Sequence, residues 1–377
     1  MTAKDLVVGT LGAGFIGSFH SYGLAMQKMV RHRLPMNLRN KIIVDLDRKA
    51  REEVADRFGY ESSGDSWQAM LDDPEISLFI NAAPNILHPE PTLKAAGRKL
   101  PVFCEKPLAI NAELAFSMWK AVEQAGIVHQ AGFVFRFIPA IRYMRELIRS
   151  GALGEPVHYR SAYLMSDYLA PGLEYSWRLD KSVAGTGTLG DLASHHIDVA
   201  RFLVGEIGEV SAFTRINVPV VDGRKVDVDD SLVSNIRFDN GLIGSIQASR
   251  VAAGYGHFGR IEVDCTRGSL RFEVGDLNNL YIAEGLDQGF RKIQVIKPEH
   301  PLCDFWWAGG VQGSHPIGWV ECFVHQMHHF LGAVIGEHEV APEAATFRDG
   351  YRVAEVIQHM QQSESERRHV KVEYRDI

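Results

Sequence analysis

The stretch "DLVVGTLGAGFIGSFHSYGLAM", Asp5 to Met26, narrows the possible folds more than any other part of this chain. A short apolar run meets Gly12, Gly14 and Gly17 and continues into a helix-forming segment. That is G-x-G-x-x-G between a strand and a helix, the context in which the pattern carries a mechanism. Gly12 permits a tight turn, Gly14 lets the backbone approach a pyrophosphate, and Gly17 lets the helix pack close to the strand. The helix start, at Phe15 and Ile16, offers N–H groups that no preceding turn satisfies. The motif therefore predicts a bound dinucleotide. From Leu6 to Gln27 there is no Asp, Glu, Lys or Arg, but Gly9, Gly12, Gly14, Gly17 and Gly23 with His20 break the run. An export signal or membrane span needs a continuous apolar segment, so neither is expected.

The run "KIIVD" predicts a second strand ending at Asp45, whose carboxylate can accept hydrogen bonds from a ribose diol. "RHRLPMNLRN" lengthens the connection before it. A carboxylate at that place repels a 2′-phosphate, so NAD is expected rather than NADP; Arg31, Arg33, Arg39 and Arg48 are the cations able to reverse this. "SLFINAA", "PVFCE" and "IVHQAGF" predict further buried strands, separated by helices at His88–Gly97 and Asn111–Ala125. Residues 1–132 thus form an α/β domain with a mostly parallel, doubly wound sheet.

After the helix "PAIRYMRELIRSG" the apolar period falls to two. "SLVSNIRFDNGLIGSIQASR" predicts a hairpin turning at Asp239-Asn240-Gly241, and "GRIEVDCTRGSLRFEV" a second turning at Thr266-Arg267-Gly268. Residues 133–377 are expected to form an α+β domain on a largely antiparallel sheet, with helices at Trp319–Ile335 and Thr346–Gln362. A chain of 377 residues accommodates two such domains. Its net charge of −7, with no Lys/Arg run, argues against a nucleic-acid surface. The widely spaced Cys104, Cys265, Cys303 and Cys322 form neither a disulfide framework nor a zinc ribbon, as in a reducing cytoplasm.

Two stretches carry chemistry. "CEKPLA" puts Glu105, Lys106 and Pro107 after the fourth apolar strand, the edge where ligands bind in open α/β sheets. "GTGTLGDLASHHIDVARFLVG" puts Asp191, His195, His196 and Asp198 in a small-residue, apolar segment. On a regular helix Asp191 and His195 share a face, so the carboxylate can orient an imidazole that removes a hydroxyl proton. His196 points elsewhere, and Asp198 is either a second partner or a helix-surface group. Arg136, Tyr163, Asp167, Trp177 and Arg178 are candidates for binding hydroxyls or stacking on a ring. The two arginines fit ion pairs equally well, and Trp177 fits a core. "ECFVHQMHHF" spaces Glu321, His325, His328 and His329 as helical metal ligands, but no Cys or H-E-x-x-H completes a site and no metal is expected. Trp306, Trp307, His315 and Trp319 suit either sugar stacking or packing.

Together "GAGFIG", "EKP", "APNILH" and "GTGTLGDLASHHID", with "RDGYRVAEVIQ" near the C-terminus, resemble the glucose–fructose oxidoreductase/inositol dehydrogenase (Gfo/Idh/MocA) family over essentially the whole chain. The resemblance implies a Rossmann domain followed by an open-faced sheet that mediates a homodimer or homotetramer. It implies NAD-dependent oxidation of a secondary alcohol on a sugar or cyclitol. Lys106 would contact substrate and cofactor, His195 would act as acid/base, and Asp191 would bind substrate and hold the histidine. Pro84, Asn85, His88 and Glu105 would lie near the cofactor. Ala83 and Ala193 depart from the usual hydroxyl residue and glycine. The texture of "SWRLDKSVAGTGTLGDLASHHIDVARFLVGE" and "VDVDD" is nearest to the pyranoside dehydrogenases of the family, which implies attack at ring C3 of a pyranoside or anhydrosugar. A binding protein that senses NAD or sugar is the rival, but it has no need of a base.

Overall fold

The computed structural model describes residues 3–286, 288–306 and 315–377. Trp307, in the aromatic segment, lies outside them. Two compact units emerge: Met1–Phe137 with Gly318–Tyr351, and Ile138–Ile317 with Arg352–Ile377.

Among the described residues, unit 1 is built on six strands: β1 (Lys4–Leu11), β2 (Met36–Val44), β3 (Ser62–Gly64), β4 (Leu78–Asn81), β5 (Val102–Cys104) and β6 (His129–Ala131). They are ordered β3-β2-β1-β4-β5-β6 and every pairing is parallel. The order reverses between β1 and β4, which places the ligand crevice at their carboxyl ends. The crossovers carry α1 (Phe15–Ala25), α2 (Arg48–Phe58), α3 (Trp67–Asp72), α4 (Pro89–Gly97) and α5 (Ala112–Ala125). Asn111 starts α5 as its cap, its side chain accepting the Leu114 N–H. The stretch expected as a long connection before the second strand is partly strand, since β2 begins at Met36.

Unit 2 holds β7 (Pro156–Leu164), β8 (Ile207–Arg215), the two-residue pair β9 (Val220–Val221) and β10 (Arg224–Lys225), β11 (Ser231–Phe238), β12 (Ile243–Ser249), β13 (Phe258–Cys265), β14 (Gly268–Glu273), β15 (Asn279–Glu284), β16 (Arg291–Gln294) and β17 (Val370–Lys371). Its large sheet runs β16-β15-β14-β13-β7-β12-β11-β8-β17. Both expected hairpins are present: Ser231 faces Ser249 and Arg237 faces Ile243 in one, and Arg260 faces Glu273 in the other. The sheet is mixed because β7 runs parallel to β12. Helices α6 (Pro139–Arg149), α7 (Lys181–Ala184) and α8 (Ser194–Leu203) belong to the same unit. In β11 Leu232, Ser234, Ile236 and Phe238 are buried while Val233, Asn235 and Arg237 are exposed, so one sheet face is covered and the other open.

Unit 1 is discontinuous in sequence. After unit 2 it returns as α9 (Trp319–Ile335), whose Met327, Phe330, Leu331 and Val334 join Leu6, Val8, Leu24, Leu78, Ile80 and Phe103 in the unit 1 core. Gly23 on α1 makes this approach possible, since a Cβ there would sit 2.9 Å from Met327 Cγ and 3.0 Å from the Phe323 carbonyl. The division then falls within α10 (Phe347–Glu366), the helix expected at Thr346–Gln362.

Candidate active site

In unit 1 the glycine turn has the geometry its sequence implies. Gly12 has φ +101°, and a Cβ on it would overlap the Ala82 carbonyl oxygen. A Cβ on Gly17 would overlap the Gly12 oxygen, whereas one on Gly14 would meet nothing within 4 Å. Gly14 therefore keeps a surface clear instead of relieving an internal clash. It precedes α1 without a side-chain cap, and the first turn, with Phe15 exposed and Ile16 half-buried, holds no acidic residue. Free N–H groups and an open approach are what a pyrophosphate requires.

Asp45, just past β2, is fixed over this turn. Its Oδ2 accepts the Ala13 N–H at 2.7 Å and its Oδ1 accepts the Asp47 N–H at 3.0 Å. Each oxygen keeps a further lone pair for a ribose hydroxyl. Among the arginines able to invite a 2′-phosphate, Arg48 pairs with Glu52, and Arg39 with Glu61 and Glu75. The residues present fit NAD.

The loops after β4 and β5 are locked to each other. His88 is fully buried; its Nε2 lies 2.9 Å from the Ala83 carbonyl and its Nδ1 2.9 Å from the Pro107 carbonyl. Burial pushes its pKa down, against the pull of those carbonyls. His88 therefore clamps the loops that carry Pro84, Asn85 and Lys106. Glu105 is also buried. Its Oε1 accepts from His20 Nε2 at 2.6 Å, and its Oε2 accepts the Lys106 N–H at 3.0 Å. Gly132 reserves that space, since a Cβ there would lie 2.5 Å from Glu105 Oε1.

Arg136, expected among the sugar-binding groups, is 3% exposed and paired with Asp349 at 3.2 Å. A buried guanidinium needs such a carboxylate. The histidines of α9 diverge: His325 faces the Phe137 carbonyl, His328 the Gln27 side chain, and His329 the Val340 carbonyl. Among the described residues no group of three or more His, Cys, Asp or Glu is assembled for a metal ion.

In unit 2 Asp191 lies in a wide π-type turn, Leu189–Ala193, that leads into α8 at Ser194. The four-residue spacing to His195 thus spans a widened turn and not the regular helix face expected. The turn is pinned by Asp229, whose carboxylate accepts the Gly187 N–H at 2.9 Å and the Leu189 N–H at 2.7 Å. Asp191 is held by Arg250, which also binds Asp167. His195 is 8% exposed, its ring 6.3 Å from that of Tyr163. Tyr163 stacks on His196 at 5.3 Å, and its hydroxyl lies 2.7 Å from His257 Nε2. Burial pushes the Tyr163 hydroxyl pKa up and drives His196 down to about 3, so His196 is a neutral core ring. Asp198 is fully buried, 4.0 Å from Arg201, and is no surface group. Trp177 and Arg178 stack on each other at 4.5 Å and stay half-buried.

Residues 6–133 match the model of an oxidoreductase family with an NAD-binding Rossmann fold, and residues 141–271 match the GFO/IDH/MocA C-terminal domain. The chain belongs to the Gfo/Idh/MocA oxidoreductase family. Levoglucosan dehydrogenase of Pseudarthrobacter phenanthrenivorans is 35% identical over 373 residues, 93% of this chain and 94% of that protein. The NAD(+)-dependent scyllo-inositol 2-dehydrogenase of Bacillus subtilis is 34% identical over 233 residues, 61% of this chain and 64% of that one. Among solved structures, levoglucosan dehydrogenase in complex with NADH and levoglucosan matches with TM-score 0.92 and 35% identity, over 98% of this chain and 100% of that one.

For this family member, sequence reasoning missed His20, Asp229 and Arg250. His20 stood in view within the glycine segment, but its partner Glu105 is 85 positions away. Asp229 sat in the noted "VDVDD" without a role. Arg250 follows β12 with no local signal at all.

Proposed function

We propose that this oxidoreductase oxidises a secondary hydroxyl, at ring C3, of a neutral pyranoside or anhydrosugar. The observation that carries the reading is His195 at the start of α8, nearly closed off from water, with Asp191 in the turn before it anchored by Arg250. The full-length likeness to a levoglucosan dehydrogenase whose structure holds NADH and levoglucosan supports the substrate class. NAD, when bound, supplies the hydride acceptor. His195 accepts the hydroxyl proton, imidazole being the side chain suited to that transfer near neutral pH. The Lys106 ammonium stabilises negative charge growing on the same oxygen. Asp191 accepts a substrate hydroxyl, and Tyr163, Trp177 and Arg178 offer ring and cation surface to the sugar. Pro84 and Asn85, on a loop that His88 clamps, would help to hold the cofactor.

Inositol oxidation is the second reading, favoured by the inositol dehydrogenases among the relatives. The working form is a homodimer or homotetramer through the open face of the unit 2 sheet. In support, Phe213 (68% exposed) and Val233 (52%) face each other across β8 and β11 on that side. No described helix is long and apolar enough to cross a membrane. A cytoplasmic location is supported by the four cysteines, all free and buried.

The test is NADH absorbance with glucosides, anhydrosugars, inositols and nucleotide sugars, run with NAD and NADP in parallel. Turnover of glucosides or anhydrosugars with NAD is expected. Inositols winning outright establish the second reading, and no turnover of any compound overturns both.

A further inference from the structure

Arg250 joins two carboxylates that come from distant segments of unit 2. Its Nη1 donates to Asp167 Oδ2 and its Nη2 to Asp191 Oδ2, while the guanidinium lies 4.9 Å over the Tyr168 ring. Its backbone is fastened as well: its N–H donates to the Asp230 carbonyl at 2.9 Å, and its own carbonyl accepts the Tyr168 N–H at 3.1 Å. The side chain of Arg250 is 8% exposed, against 36% for Asp167 and 31% for Asp191. The cation is therefore the buried member and the anions are the accessible ones. Asp167 Oδ1 is itself buried and has no donor among the described residues, so a hydroxyl reaching it would satisfy an otherwise orphaned acceptor. A planar guanidinium fork fixes the directions of two carboxylates at once, whereas an ammonium binds them as a freely rotating point charge. Two carboxylates held on one guanidinium present acceptor oxygens suited to hydroxyl donors.

The geometry points to Arg250 as a specificity-determining positioning residue. It holds Asp167 and Asp191 as a paired acceptor for two hydroxyls of a sugar or cyclitol. The inference rests on the reading of Asp191 as a substrate contact.

The experiment compares the full-length protein with Arg250→Gln, Arg250→Lys and Asp167→Asn, using the best neutral substrate of the panel and its mono-deoxy analogues. Binding is read by saturation-transfer NMR as well as by turnover, and NADH affinity by fluorescence. For the wild type, removing a contacted hydroxyl is expected to raise KM at least about tenfold, because a site built for that hydroxyl rejects its absence. In Arg250→Gln this penalty shrinks to within about twofold. Arg250→Lys restores overall affinity in part but not the discrimination, and Asp167→Asn removes the penalty for one hydroxyl only. NADH affinity stays within about twofold throughout. An undiminished deoxy penalty in Arg250→Gln overturns the inference, and so does one in Asp167→Asn should Arg250→Gln fail to fold. Wild-type binding of neutral sugars without turnover refutes the oxidation reading alone, and leaves the Arg250 discrimination measurable by NMR. Neither binding nor turnover refutes both.

Discussion

His20 Nε2 lies 2.6 Å from Glu105 Oε1, and both side chains are sealed inside unit 1. The pair joins α1, which opens at the glycine turn, to the loop that carries Lys106. Glu105→Ala should therefore cost about 1.5–3 kcal/mol, the usual loss for a buried hydrogen bond to a charged group. Gly132→Ala should give much of the same loss while both partners remain, because its Cβ intrudes on the carboxylate. Urea denaturation of the two variants checks this; a neutral Gly132→Ala would show that the space is not reserved for Glu105.

Gly12 and Gly14 should fail in different ways. Gly12→Ala adds a Cβ at φ +101° against the Ala82 carbonyl, so folding and cofactor binding fall together. Gly14→Ala meets no protein atom and should keep the wild-type melting temperature while weakening NADH binding at least about tenfold. Equal melting losses in the two variants would contradict the assignment of Gly14 to the ligand.

Removing the proposed base should separate chemistry from binding. His195→Ala is expected to lower kcat by about 10²–10⁴, the usual contribution of general-base assistance. NADH affinity, measured by fluorescence, should hardly change. Lys106→Met should lower kcat as well, by removing the charge proposed to stabilise the alkoxide. Near-full turnover in His195→Ala would remove it from the mechanism.

His196 makes unit 2 sensitive to acid. Its imidazole titrates at about 3 in the folded chain because burial penalises the charged form, against about 6.5 when unfolded. A folded pKa lowered in this way means that the unfolded state binds the extra proton first. The stabilising effect is complete above about pH 6.5 and is lost as pH falls toward 3, with a slope of about 1.4 kcal/mol per pH unit for this one group. Denaturation at pH 7, 6 and 5 should show that decline in the wild type. In His196→Gln, which cannot take up the proton, the slope should be smaller by that amount, from a lower starting stability. Parallel slopes would rule out His196 as the source.

Much of this protein is determined locally, and its sequence alone reveals that part. The Gly12–Gly17 turn follows from short-range sterics: a positive φ and two close backbone approaches leave only glycine. The hairpins at Gly241 and Gly268 follow from period-two alternation and turn chemistry, and Asp45 from its place at a strand end. Pairing across long intervals follows no such rule. Arg250 meets Asp191 59 positions away and Glu105 meets His20 85 positions away, because strand register and helix packing bring those segments together. The return of α9 to the unit 1 core and the burial of Arg136 against Asp349 are of the same kind. A buried charge must find its complement wherever the fold delivers one, and no local pattern records where that is.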